Sequence, residues 1–269
     1  MIKLVATDID GTIVAKDSEI SVGVKNCIKT LQEKGVPVVL VTGRMYIAAR
    51  QIAERLGLNT PVVAYQGGLI KKSQSDDSTI YEAYIPESDC KNIINWARKN
   101  KVHLNLYSDD KLYVEEDNFN IQKYAKRQNI EYKVQSFDKM KLEKINKLLA
   151  IDYANADNIP LWIDELQKDF SHLYIVKSTP NFCEFSTMEA TKACAIEELR
   201  KYYNLEQDEV LCIGDQDNDI ELLKAGGVSV AMGNATEELK KYADYVTDTV
   251  DNDGFVKAMN KFVIGEDYV

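Results

Sequence analysis

The chain has 269 residues, enough at roughly 100 to 200 per domain for two domains with real cores. Its 43 acidic against 33 basic residues leave a formal net charge of −10, which argues against nucleic-acid backbone binding and requires that any anionic ligand be drawn by a local positive site. Five scattered cysteines (Cys27, Cys90, Cys183, Cys194, Cys212) with no Cys-x-x-Cys pair indicate neither a disulfide framework nor a zinc ribbon, and they read as core residues of a reducing cytoplasm.

In chain order, residues 1–83 alternate strand and helix. "IKLVAT" (2–7) is followed by a helix from about Ser21 to Lys34 stopped by Gly35. "VPVVLVT" (36–42) precedes a helix from about Arg44 to Leu56 stopped by Gly57, and "PVVAY" (61–65) closes the series. Strands apolar on both faces that alternate with helices predict a parallel α/β sheet covered on both sides. From about Tyr84 to Phe185 the texture changes to paired strands, "VHLNLYS" with "KLYVEED" and "HLYIVKS" with "NFCEFS", around "INKLLAIDYA" and a helix near Asn158 to Asp169. This stretch reads as an inserted α+β cap domain, residues 84–185, between two segments of one core, 1–83 and 186–269. The core resumes with "EVLCIGD" (209–215), a helix from about Asp217 to Ala225, "GVSVAM" (227–232), a helix from about Ala235, and "DYVTD". No apolar run is long enough for a signal peptide or a membrane span, so a cytoplasmic protein is expected.

Chemistry concentrates where the apolar strands end. Asp8 and Asp10 lie two apart, so they can face one pocket, and Gly11 permits a sharp turn after them. Ligands of open α/β sheets bind beyond the carboxyl ends of the strands, which makes this a privileged place. "GDQDND" sets Asp215, Asp217, Asn218 and Asp219 after a second such strand. An EF-hand is excluded, because its glycine and bidentate-glutamate positions fall on Ile220 and Gly226. If the two loops are neighbours, their carboxylates repel one another and need a cation. With only His103 and His172 in the chain, hard oxygen ligands favour Mg²⁺. Lys192 and Arg44 each fall in the first turn of an expected helix, where positive charge opposes the helix dipole, a broken rule that hints at function. Thr42 is either the N-cap of that second helix or a hydroxyl donor to a phosphate.

Taken together, "DIDGT", "VTGR", Lys192 and "GDQDND" in this order resemble the four motifs of the haloacid dehalogenase-like phosphatases. The large insert, "VAMGNA" (230–235) and "DNDGFVKAM" (251–259) resemble its Cof-type subfamily of sugar-phosphate and phosphometabolite hydrolases. Two departures are visible: Gln66 stands where the family often has Asn, and Ala193 follows Lys192 where Gly is common. The resemblance implies a Rossmann-like core with a cap. It implies Asp8 as nucleophile and Asp10 as the acid and base. Mg²⁺ would be held by Asp8, the Asp10 carbonyl and Asp215, with Asp219 one layer further out. The phosphoryl group would be bound by Thr42, Lys192, Asn218 and the amides of Ile9 and Gly43. The expected activity is hydrolysis of a small phosphorylated metabolite; a hexose phosphate mutase, or a non-catalytic phosphometabolite sensor, is the alternative. Arg98 and Arg127 of the insert sit among lysines on helices that read as solvent-exposed, so no second phosphate clamp is expected.

Overall fold

The computed structural model describes residues 1–15, 20–73 and 75–265. Its strands and helices follow in chain order as β1 (Leu4–Thr7), α1 (Val22–Glu33), β2 (Val38–Val41), α2 (Tyr46–Arg55), β3 (Val62–Ala64), β4 (Leu69–Lys71) and β5 (Thr79–Glu82). Next come α3 (Glu87–Asn100), β6 (His103–Ser108), β7 (Lys111–Val114), α4 (Phe119–Gln128), β8 (Lys133–Val134), β9 (Ile145–Ile151), α5 (Asn158–Asp169), β10 (Leu173–Thr179) and β11 (Phe182–Thr187). The chain closes with α6 (Lys192–Tyr203), β12 (Val210–Gly214), α7 (Ile220–Ala225), β13 (Val228–Ala231), α8 (Glu237–Lys240), β14 (Tyr245–Val246) and α9 (Gly254–Met259).

Among the described residues the strands form two sheets, one of eight strands in the order β14-β13-β12-β1-β2-β3-β4-β5 and one of six in the order β10-β11-β9-β6-β7-β8. From β14 to β3 the larger sheet is parallel. Its central strands β1, β2, β3 and β12 are buried at every position, as expected when helices cover both faces. The expected purely parallel sheet is extended by an antiparallel hairpin, β4 and β5, that the strand pattern did not reveal. The reversal after β3 uses positive φ at Tyr65 (54°), Gln66 (61°) and Gly67 (120°), a turn with no glycine at its first two positions to announce it.

Helix starts also differ in two places. The sequence predicts a helix from Arg44 capped by Thr42, but α2 begins at Tyr46, its cap position is Met45, and no side chain caps it. Arg44 is thereby in the connecting loop, where its carbonyl accepts the Tyr65 amide. The Asp217–Asp219 stretch is a 3₁₀ turn ahead of α7 rather than part of an α-helix. By contrast α1 has Ser21 at its N-cap, accepting the Val24 amide, and ends at Glu33, with Lys34 as its C-cap ahead of the left-handed Gly35 that stops it.

The second sheet is all antiparallel except for the β7–β8 pair, and α3 and α5 pack on it over their own cluster of Ile93, Leu106, Leu148, Ile159 and Phe185. On its other face Tyr107, Tyr124, Leu149 and Phe182 join the cluster that lies under the larger sheet, so apolar packing runs continuously from one sheet to the other. Four cysteines are buried as expected, and Cys194 is only half-buried; all five are unpaired. No helix among the described residues is long and apolar enough to cross a membrane.

Gly67 is where the turn after β3 meets α6. A Cβ there would lie 2.2 Å from the Thr191 carbonyl oxygen, at a backbone angle that side chains rarely adopt. Gly67→Ala should therefore destabilise the protein by about 2 kcal/mol or more, measured by urea unfolding. A loss under about 0.5 kcal/mol would contradict this packing.

Candidate active site

The strand order turns back between β1 and β12: from β1 the chain proceeds outward to β2 and β3, and from β12 to β13 and β14 on the other side. The carboxyl ends of these two neighbours form the crevice where such sheets bind ligands. Thr7 is paired with Ile213, and the Asp8 amide donates to the Ile213 carbonyl at 3.0 Å, so Asp8 and Asp215 emerge side by side. Since β1 ends at Thr7, Asp8 and Asp10 are presented by a loop rather than by strand alternation. Gly11 makes that loop feasible twice over, with φ of +89° and no room for a side chain, because a Cβ would lie 2.2 Å from the Asp215 carboxylate.

Lys192 ties the centre together. As the first residue of α6 it sits behind Asp8, 1% exposed, and its Nζ donates to Asp8 Oδ1 at 2.6 Å and to Asp219 Oδ1 at 2.5 Å. Burial alone would lower its affinity for a proton, but the Asp219 and Asp8 charges raise it above the ordinary lysine value. The other Asp219 oxygen accepts the amides of Asp215 at 3.0 Å and Gln216 at 3.1 Å. Gly214 must be a glycine for this, as its Cβ would stand 2.5 Å from Asp219 Cγ. Asp219 thus shapes the loop that carries Asp215, a role left open by the sequence.

Asp8, Asp215 and Asp219 each offer an oxygen, all within 4.8 Å of one another. One lysine does not neutralise them. Burial, with the charges of Asp219, Asp215 and Asp10, raises Asp8 well above the usual carboxylate range although Lys192 pulls it down. Burial and Asp219 raise Asp215 to about 7, against the hydrogen bonds it accepts from Gln216 and Thr12. Crowded, buried, all-oxygen donors with surplus negative charge fit a hard divalent cation.

Asp10 has the opposite environment. Burial would raise it, but Arg44 grips both its oxygens, Nε to Oδ2 at 2.7 Å and Nη2 to Oδ1 at 2.6 Å, and holds it below the usual range. This pairing explains why Arg44 leaves the helix, and it replaces the expectation that Arg44 opposes a helix dipole.

These groups open into a cavity of about 520 Å³ between the two sheets. Of the expected site residues, Asp8, Asp10, Thr42, Gly43, Asn218 and Asp215 line it. Ile9 is fully buried in the core and Lys192 lies behind Asp8, so neither side chain lines the cavity. Thr42 Oγ1 accepts the Arg44 amide at 3.2 Å. Neither histidine lines the cavity: His103 meets Asn105 and Asn118, and His172 meets Asp89.

The second sheet supplies residues that sequence reasoning missed. Lys147 of β9 and Glu184 of β11 form a buried pair at 2.8 Å, with side chains 3% and 7% exposed. Lys147 also donates to the Gly43 carbonyl at 2.8 Å. Glu184 accepts from Gln66 Nε2 at 3.0 Å, and Gln66 Oε1 accepts from Asn218 Nδ2 at 3.3 Å. Gln66, one of the two departures from the family pattern, thus joins Lys147 in linking cap and core. Their signal was present: a lone charge inside the otherwise buried run "INKLLAI" has to find a partner. Arg98 is committed to Glu115 and Asp138 away from the cavity, whereas Arg127, expected on a solvated helix face, lines it.

Comparison with known proteins agrees with this geometry. The family model of haloacid dehalogenase-like hydrolases matches residues 5–259, and the chain belongs to that family. Within it, 5-amino-6-(5-phospho-D-ribitylamino)uracil phosphatase YcsE of Bacillus subtilis is 30% identical over 265 residues, covering 98% of this chain and 96% of its own. Phosphatase YwpJ of the same organism is 27% identical over 282 residues, covering 96% and 98%. The crystal structure of a haloacid dehalogenase-like hydrolase from Bacteroides thetaiotaomicron superposes with a TM-score of 0.87 at 28% identity, covering 97% of this chain and 99% of that one. The enzyme class is that of phosphoric monoester hydrolases.

The raised Asp215 has a consequence for the metal-free protein. A carboxylate that holds its proton more tightly when folded withdraws stability as pH rises from about 4 to about 7. Asp215→Asn should therefore raise the unfolding temperature of the chelator-treated protein more at pH 8 than at pH 5. An equal shift at both pH values, or a loss at pH 8, would contradict the crowding.

Proposed function

We propose that the protein is an Mg²⁺-dependent phosphatase that hydrolyses a small phosphorylated metabolite, such as a sugar phosphate, through an aspartyl-phosphate on Asp8. Residues 1–83 with 186–269 would be the catalytic core and 84–185 its cap. The observation that carries the reading is Asp8 itself, a cavity-lining carboxylate at the sheet's switch point, backed by a buried lysine and flanked by Asp10 and Asp215.

In this reading Asp8 attacks phosphorus, the bond to the leaving oxygen breaks, and Asp10 gives that oxygen a proton. Water then attacks the acyl phosphate while Asp10 takes its proton back, which frees phosphate and restores Asp8. With Arg44 on both oxygens Asp10 is ionised, the form that activates water. The acid form requires Arg44 to release one of those bonds to make room for the proton. Thr42, Asn218 and the amides of Ile9 and Gly43 would bind the phosphoryl oxygens, and Lys192 would hold Asp8 in line. Asp8, Asp215 and the Asp10 carbonyl would hold Mg²⁺, which when bound offsets the negative charge of the carboxylates and the phosphoryl group.

The test is release of p-nitrophenol from p-nitrophenyl phosphate. Activity should require Mg²⁺ and vanish in excess chelator. Asp8→Asn should lower kcat by about a thousandfold or more with the fold intact, and Lys192→Ala by about a hundredfold. Ordinary rates in Asp8→Asn, or full activity in chelator, would refute the nucleophile or the metal respectively.

A further inference from the structure

Three basic side chains line the cavity among the described residues: Arg44, Lys147 and Arg127. Two are already committed to carboxylates, Arg44 to Asp10 at 2.6 Å and Lys147 to Glu184 at 2.8 Å. Lys192, behind them, is committed to Asp8 and Asp219. Arg127 forms no ion pair with any described residue, and its polar neighbour is Tyr153, which does not line the cavity. Arg127 belongs to the last turn of α4 and lines the cavity from the cap, while Asp8 lines it from the core.

An arginine at a helix C-terminus is favourable for the helix by itself, so position on α4 does not demand a ligand. Its place in the cavity is the informative part. Every other cation there has an internal anion, and the fork of a guanidinium is suited to two parallel bonds with a carboxylate or phosphate. Arg127 and Asp10 line the same cavity of about 520 Å³, a space of the size that a compact ligand fills.

Resting on the phosphatase reading, we propose that Arg127 determines specificity by binding a second anionic group, a carboxylate or a second phosphate, on the leaving portion of the substrate. The preferred substrates are then phosphate monoesters of compact, hydroxylated acids or bisphosphorylated sugars rather than neutral sugar phosphates. Around the same portion Ser178, Asn181 and Gln128 offer polar contacts and Phe182 an apolar wall.

The experiment compares sorbitol 6-phosphate with 6-phosphogluconate, which differ at one end by a hydroxymethyl against a carboxylate, and fructose 1-phosphate with fructose 1,6-bisphosphate. Wild type should show kcat/KM about tenfold or more higher for at least one anionic member over its neutral partner. The pair that shows it tells carboxylate from phosphate. Arg127→Gln should bring that ratio near one, through KM, while leaving the neutral ester within about threefold of wild type. Because Arg127 is exposed, the variant should keep the wild-type unfolding temperature. The inference is overturned if wild type shows no preference in either pair, or if Arg127→Gln slows neutral and anionic esters alike. Failure of wild type to hydrolyse p-nitrophenyl phosphate would overturn the phosphatase reading itself, and the inference with it.

Discussion

A single buried ammonium group sets the terms for this molecule. Lys192 Nζ stands between Asp8, on the loop after β1, and Asp219, on the loop after β12, and among the described residues neither carboxylate has another full positive charge within bonding distance. Removing the lysine would leave two uncompensated buried charges, a loss that costs several kcal/mol where a buried pair is broken. Much of the neighbouring sequence follows from this contact. Gly214 is bare to admit Asp219, and Gly11 is bare to admit Asp215. Thr191 caps α6 by accepting the Cys194 amide, so the helix that delivers Lys192 begins where it must. A positive charge at a helix N-terminus is locally unfavourable, and two carboxylates reverse the sign of that effect.

The lysine nevertheless leaves the site overdrawn in negative charge, and the two halves of the site resolve this differently. Around Asp10, Arg44 supplies a second cation and the carboxylate stays ionised. Around Asp8 and Asp215 no further side-chain cation is present among the described residues, and both carboxylates hold their protons more tightly than usual. Two carboxylates two residues apart are thus driven in opposite directions, the arrangement that lets similar groups take unlike roles. The cap joins this system through polar contacts. Lys147 reaches the Gly43 carbonyl, and Glu184 reaches Asn218 by way of Gln66, so a displacement of the second sheet bears directly on loops that line the cavity beside Asp8. A buried ion pair of this kind contributes little net stability, which favours a geometric role for it.

The core and most of the candidate site were legible in the sequence because each carries a local signature. Apolar runs on both faces mark parallel strands, acidic loops mark their ends, and Lys192 stands out by violating helix electrostatics. What escaped notice depends on long-range partners. Arg44 looked like a misplaced helical residue because its partner, Asp10, is 34 positions away. Tyr65 and Gln66 adopt left-handed angles that neither residue type announces, which hid the β4–β5 hairpin. Glu184 lies in a strand buried at every position and its partner Gln66 is 118 positions away, so nothing beside it in the chain names that contact, and Arg127 shared a charged helix with lysines. Which helix face turns toward a neighbouring domain is a property of packing, and the helix's own sequence does not contain it.

The most direct measurement follows the covalent step. Enzyme mixed briefly with ³²P-labelled substrate and Mg²⁺, quenched in acid and reduced with borohydride, should carry transient label before reduction and homoserine in place of Asp8 after it, read by peptide mass spectrometry. Asp8→Asn should show neither. Turnover with no phosphoenzyme at any quench time, or homoserine at another aspartate, would contradict the assignment of Asp8 and with it the account of why Lys192 lies where it does.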